Sequence, residues 1–284
     1  VVLFSGVTLL AGDLLLDLGQ PSWARALLMS SILAVIPLSL WLLRLAEDLP
    51  ALVLGLIVTV VDVAAFGELY LITQAAPWVL APRKIWLAAA IFSVLAGSLL
   101  MLVQRSLKRI LVLSTMEDFG FLLLGVSSGT KIGMGGAISV AVVHSLAKAL
   151  LFLSLSTAEA DGNLDAKGKG LATLYPMSGA AFVFGIFAVL GVPPTMGFAG
   201  RWRLYETASH SGPFVALAFV GASACALIAY VLALTNFWWG PPSADARATR
   251  EPVLLRGTLL ALMLLLLIAG IWPSAVHDLT WRPW

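Results

Sequence analysis

The strongest constraint on this chain is a series of long apolar runs, each bounded by charge, proline or glycine. A helix of about 20 apolar residues spans ~30 Å of hydrocarbon. Nine runs qualify, at roughly 2–18, 24–46, 51–74, 85–104, 110–128, 134–157, 174–196, 213–239 and 253–273. Stretches such as Leu259–Ile268 lack the alternation of a transmembrane strand. The expected fold class is therefore all-α, a polytopic transmembrane bundle of about nine spans. Composition agrees: 60% of the 284 residues are apolar and 11% charged, where soluble domains carry about a quarter charged.

The remaining composition removes other function classes. A net charge of +2 is too small for a nucleic-acid surface. The single cysteine, Cys225, rules out a disulfide framework and any multi-cysteine cluster. Histidines at 144, 210 and 277 are too scattered for a zinc site. No stretch is long and polar enough for a soluble nucleotide-binding or redox module, so no cofactor and no metal is expected in this chain. The start at Val1 lacks the basic region and cleavage site of a signal peptide. It reads as a non-Met initiation or as a chain missing its beginning.

The connecting segments carry most of the charge, at Arg83-Lys84, Arg105 to Arg109, Asp161 to Lys169 and Asp245 to Glu251. The longest, 158–173, reads as an exposed, mobile loop. Nine basic residues fall on one side of the membrane (Arg44, Arg105, Lys108, Arg109, Lys167, Lys169, Arg247, Arg250 and Arg256). Five fall on the other: Arg25, Arg83, Lys84, Lys131 and Arg282. The excess places the first group in the cytoplasm.

Two spans are interrupted. One carries Pro37 in mid-run, and the other carries Pro193-Pro194 followed by Gly197, Gly200 and Arg201. Proline removes a backbone donor and clashes with the preceding turn, and the freed groups need protein or water to satisfy them. Paired broken spans point to inverted-repeat transporters with ion sites at the breaks. For Pro37 alone, a simple packing kink weighs equally.

Ionisable residues at membrane depth normally face a bundle interior or a water path. They are Asp62 and Glu68, then Glu117-Asp118, then His144 and Lys148, then Arg201, Arg203 and Glu206. His144 and Lys148 are four apart and share a helix face, and both side chains suit a proton relay. The plainer expectations are that Asp13 and Asp17 are solvated and that Arg203 and Glu206 form an interfacial ion pair. Asp118 divides evenly between a solvated or helix-paired charge and a member of the site.

Three runs carry a resemblance: LVQRSLKRILVLSTMEDFGFLLLGVSSG (102–129), VVHSLAKALLFL (142–153) and LGVPPTMGFAGRW (190–202). In order and spacing they resemble the antiporter-like subunits of the respiratory complex I superfamily. That superfamily includes NADH–quinone oxidoreductases, membrane-bound hydrogenases and multi-subunit sodium/proton antiporters. Glu117 after Ser-Thr-Met is similar to the hydrogenase-type variant.

The resemblance implies two inverted five-helix repeats. The second would correspond to 85–239, followed by a closing segment at 240–284 with its span at 253–273. The first would be represented by its last three helices within 1–84, its earlier helices having no counterpart. The family's proton-path positions carry over one at a time. In the first repeat its lysines fall at Ile32 and Asp62 and its histidine at Ser39. In the second, Lys148 takes the central lysine position, His144 a histidine position and Arg201 the place of the terminal lysine. Arginine barely deprotonates, so Arg201 reads as a fixed charge.

The function implied is a non-catalytic membrane-arm subunit of a proton-translocating complex, with a half-channel at His144, Lys148 and Glu117 beside Arg201. Flavin, iron–sulfur or nickel–iron centres would sit in partner subunits. The surroundings would be other membrane-arm subunits and lipid in a bacterial or archaeal cytoplasmic membrane, with protons or sodium as the ion. A transport-inactive bracing subunit, or part of a multi-subunit cation/proton antiporter, is the alternative.

Overall fold

The computed structural model describes residues 40–75, 77–164, 170–242, 246 and 249–272. The run at 2–18, the Pro37 break and most of 24–46 lie outside the described residues, as does the Asp62 side chain.

The described residues are helical, with no strand among them. Helix α1 (Leu40–Asp48) leads to α2 (Ala51–Leu56), which passes through a π-helical turn (Ile57–Val61) into α3 (Asp62–Ala75). Then come α4 (Arg83–Leu102), α5 (Leu107–Ser128), α6 (Lys131–Ala160) and the short α7 (Leu171–Leu174). The chain continues with α8 (Pro176–Leu190), α9 (Gly197–Ser211), α10 (Pro213–Ala233) and α11 (Val253–Ile271). Among the described residues six helical stretches are long and apolar enough to cross a membrane, and α8 is a shorter apolar helix.

Helix ends follow local chemistry. Gly129, at φ 63°, closes α5 in the left-handed region where glycine carries no Cβ penalty. Thr130 then caps α6 by accepting the Gly133 N–H at 3.0 Å. Prolines 176 and 213 open α8 and α10, where a missing N–H costs nothing.

Helix α5 is the axis of the bundle. Its membrane window is entirely buried, whereas α11 is only 11% buried and lies at the periphery. Close approach of α4 depends on small residues. A Cβ on Gly97 would fall 2.6 Å from the Glu117 backbone nitrogen, and one on Gly120 would fall 2.6 Å from that of Val94. Small residues at such contacts let helix backbones pack in a membrane.

The break at Pro193-Pro194 is present. Helix α8 ends at Leu190 and is capped by Gly191, at φ 72°, and α9 begins six residues after that cap at Gly197. The Val192 N–H returns to the Phe187 carbonyl at 2.8 Å, and the Thr195 hydroxyl donates to the Val192 carbonyl at 2.7 Å. Helix α11 completes the closure, its Leu266 carbonyl accepting the Met196 N–H at 3.0 Å. Gly270 makes that contact possible, since a Cβ there would meet the Pro194 carbonyl oxygen at 2.1 Å. The Val192 and Met196 N–H groups and the Thr195 hydroxyl of the break are thus satisfied by protein, as hydrocarbon requires.

Several charges assigned to loops have other roles. Lys108 lies inside the first turn of α5, 8% exposed, paired to Glu159 at 2.8 Å and donating to the Leu49 carbonyl at 3.0 Å. Glu159 also accepts the Ala51 N–H at 2.5 Å, tying α6 and α5 to the start of α2. Glu251 is buried and accepts the N–H groups of Ser178 (2.7 Å) and Met177 (3.2 Å) at the start of α8, where a carboxylate complements the helix dipole. The segment 158–173 is not uniformly exposed either, since Ala158, Asn163 and Leu164 are buried. Tyr175 holds this corner by donating to Asp161 at 2.6 Å and accepting from Asn163 at 2.7 Å.

Candidate functional site

Glu117 and Asp118 lie near the middle of α5, consecutive residues on a helix buried all round. Consecutive positions are about 100° apart on a helix, so the two carboxylates address different neighbours. Glu117 turns to α9, where Arg201 grips it through Nη1–Oε1 and Nη2–Oε2 contacts, both 2.9 Å. This fork-on-carboxylate geometry is the strongest and most directional ion pairing available to a side chain. Arg201 Nη2 also reaches Asp118 Oδ1 at 2.5 Å, and its guanidinium carbon lies 3.8 Å from the centre of the Phe121 ring.

Asp118 is the connector. While Oδ1 receives Arg201, Oδ2 accepts from His144 Nδ1 at 2.9 Å and lies 3.6 Å from Lys148 Nζ. Lys148 also donates to the Leu111 carbonyl at 2.9 Å and to the Ser114 hydroxyl. His144 and Lys148 do share one face of α6, and both meet the same carboxylate. Glu117, Asp118, His144, Lys148 and Arg201 are all 3% exposed or less. Two carboxylates face two cations, so the cluster is formally neutral with His144 uncharged. Tyr230 of α10 completes the wall near Ser114 and is 1% exposed.

The break places Arg201. With α8 stopped at Leu190, α9 starts on a new axis and delivers Arg201 at its fifth residue. Gly197 and Gly200 permit this, because a Cβ on the first would meet the Ala188 oxygen at 1.9 Å. One on the second would lie 3.0 Å from both Ser139 Cβ and Val140 Cγ2. Pro193 and Pro194 themselves are exposed and touch none of the charges.

The sequence therefore named four of the five ionisable residues of this cluster outright: Glu117, His144, Lys148 and Arg201. Asp118, which it left divided, is 2% exposed and contacts His144, Lys148 and Arg201. Spacing held a signal for it, since Asp118 is one helical turn from Ser114 and both meet Lys148. The expected Arg203–Glu206 pair is replaced by an exposed contact of Glu206 with His210 at 3.8 Å. The backbone of Asp62 is helical, but its side chain, like Pro37, lies outside the described residues.

Comparison with known proteins agrees with this architecture. The family profile described as NADH:quinone oxidoreductase/Mrp antiporter, TM, matches residues 18–226. NADH-quinone oxidoreductase subunit N 3 of Streptomyces griseus is 28% identical over 280 residues, covering 95% of this chain and 50% of the relative. Formate hydrogenlyase subunit 3 of Escherichia coli is 29% identical over 289 residues, covering 90% of this chain and 47% of the relative. The chain thus spans about half the length of the curated relatives it matches.

Among solved structures, the Mrp complex from Dietzia sp. superposes with a TM-score of 0.90 at 20% identity, over 98% of this chain and 65% of that chain. Respiratory complex I from Thermus thermophilus with bound NADH gives 0.79 at 20% identity, over 97% and 64%. At these identities the likeness is one of fold. Since the profile matches well over half of its residues, the chain belongs to the NADH:quinone oxidoreductase/Mrp antiporter transmembrane family.

Proposed function

We propose that this chain is an antiporter-like membrane-arm subunit of a proton-translocating redox complex, of NADH–quinone oxidoreductase or membrane-bound hydrogenase type. In this reading it supplies a proton half-channel in the cytoplasmic membrane. Flavin, iron–sulfur or nickel–iron chemistry belongs to partner subunits, and other membrane-arm subunits and lipid surround it. Residues 85–239 form the second repeat, and 1–84 the last helices of the first.

The observation that carries the reading is the buried Lys148–Asp118–His144 arrangement. A lysine and a histidine that meet one carboxylate oxygen can exchange a proton through it, because a shared acceptor keeps the charge compensated as the proton moves. Arg201 does not cycle in this scheme. Its two contacts on Glu117 and one on Asp118 hold the carboxylates in place while lysine and histidine exchange. The ion is a proton rather than sodium, because a cluster already filled by two cations offers a metal ion no vacant carboxylate.

The test is reconstitution of the parent complex carrying Lys148→Ala in sealed vesicles. Proton pumping should fall by at least about tenfold while reduction of an artificial electron acceptor persists, general proton-transfer groups being worth about 10²–10⁴ in rate. Unchanged pumping would overturn the reading. It would favour a bracing subunit whose bidentate Arg201–Glu117 pair serves only to hold α5 against α9.

A further inference from the structure

At the end of the bundle away from Lys108 and Glu159, four helix ends converge on a cavity of about 380 Å³. They are the start of α4, the end of α5, the start of α6 and the end of α9. Its lining includes Arg83, Lys84 and His210, with the hydroxyls of Ser128, Thr130 and Ser211. Among the described residues no acidic side chain lines it; Glu206 lies 3.8 Å from His210.

Of the cationic groups, Arg83 is held in place. The Arg83 guanidinium lies over Gly129 so closely that a Cβ there would fall 2.7 Å from Nη2. Arg83 therefore sits at the α5 C-terminus, where the helix dipole favours positive charge. Helix α6 begins at the same cavity and adds the positive end of its dipole, although Thr130 already takes the N–H groups of Gly133 and Met134. The lining is apolar and exposed at Ile132 (45%), and Ile85 (50% exposed) follows Arg83 and Lys84 in the chain, as suits a site at the boundary between headgroups and hydrocarbon.

We propose that this cavity binds a phosphate oxyanion, carried either by a phospholipid headgroup or by free inorganic phosphate. Two basic side chains, an imidazole and a helix N-terminus form a donor set that matches a group with several acceptor oxygens and negative charge, while the hydroxyls of Ser128 and Ser211 donate to the Gly125 and Thr207 carbonyls and Thr130 caps α6. Adjacent lipid-facing isoleucines would seat acyl chains. The site is separate from the buried Lys148 cluster and does not depend on proton transport.

The experiment uses the full chain, purified in a neutral detergent, with three probes: dioleoyl phosphatidylglycerol, dioleoylglycerol and inorganic phosphate. Native mass spectrometry should retain one phosphatidylglycerol, and Lys84→Glu should weaken that retention by at least about tenfold, the loss of a charge-assisted contact plus added repulsion. Inorganic phosphate is titrated calorimetrically against the same two proteins; binding there without lipid retention assigns the site to free phosphate. Among the described residues Lys84 has no hydrogen-bond or ion-pair partner, and monodisperse elution checks that its variant keeps the fold; Arg83 is left intact because it also covers the end of α5. Equal retention of dioleoylglycerol, failure of both phosphate probes, or unchanged binding in Lys84→Glu overturns the proposal.

Discussion

Replacing Arg201 by methionine removes a side chain that hydrogen-bonds both carboxylates of the buried cluster. In the native arrangement Glu117 and Asp118 offset Arg201 and Lys148, giving a formal charge of zero. Arg201→Met shifts the cluster to −1, Glu117→Gln shifts it to +1, and the double variant returns it to zero. Breaking a buried ion pair from one side costs about 3–5 kcal/mol because the surviving charge is stranded, whereas removing both charges together can be nearly neutral. Arg201 contributes contacts of 2.9, 2.9 and 2.5 Å, so Arg201→Met should fall in that range.

Glu117→Gln should cost less, about 1–3 kcal/mol, because Arg201 keeps Asp118. The double variant should be no worse than Arg201→Met alone, which is a coupling of at least about 1 kcal/mol. In a chain of this size 1 kcal/mol moves Tm by roughly 2–4 °C, so Arg201→Met should lower it by about 6–20 °C. The assay is the temperature at which half of the detergent-solubilised protein still elutes monodisperse, read for all four proteins in one detergent. Additive effects within about 0.5 kcal/mol would refute the claim that the forked pair organises the site.

Three further outcomes are expected. Gly97→Ala should push α4 away from α5 at Glu117, costing about 1–3 kcal/mol as overpacking does, and Gly67→Ala, where nothing lies within 4 Å of a new Cβ, serves as the neutral control on the same thermal assay. Lys108→Met should cost more than the Lys108→Met/Glu159→Met pair relative to Glu159→Met, because each single change strands a partly buried charge; a four-protein cycle in the same detergent checks it. The Asp161–Tyr175–Thr249 corner should be pH-dependent on both sides. Partial burial raises Asp161, but hydrogen bonds from Tyr175 and Thr249 outweigh it and hold the carboxyl below its ordinary value of 3.8. Its stabilisation is therefore complete above that value and lost as pH falls through the lower folded one. Burial, then the bond to Asp161, push Tyr175 up to about 12; that stabilisation is complete below about pH 10 and lost as pH rises towards 12. Asp161→Asn should flatten the acid limb of Tm against pH, and Tyr175→Phe the alkaline limb.

The spans were legible because hydrocarbon imposes a single rule. A run such as 213–239 has one way to hide its backbone, and the helix Pro213–Ala233 with its π-helical extension to Trp238 follows it closely. Span ends were less legible, for the same reason. Hydropathy reports where water begins only if charged residues mark it, and Lys108 and Glu251 are charged residues that the fold buries. Each is neutralised by a partner distant in sequence, Glu159 for one and the α8 N-terminus for the other, and apolar periodicity contains no information about that partner.

The site shows the same division between local and distant information. His144 and Lys148 could be placed together because four residues bring a helix back to one face, and the structure puts both against Asp118. Which carboxylate they would meet was beyond local reasoning, since Glu117 and Asp118 are neighbours in the chain but face different helices. The choice is made by Arg201 on a helix 80 residues away. Its fork takes both oxygens of Glu117 and one of Asp118, leaving Oδ2 of Asp118 as the carboxylate oxygen recorded against both His144 and Lys148. An arginine that cannot cycle a proton thus still decides the geometry of the groups that can. Arg201→Lys should accordingly release the forked grip on Glu117 while keeping the charge, and a disturbance of proton transfer in that variant would trace to Asp118 rather than to any proton carried at position 201.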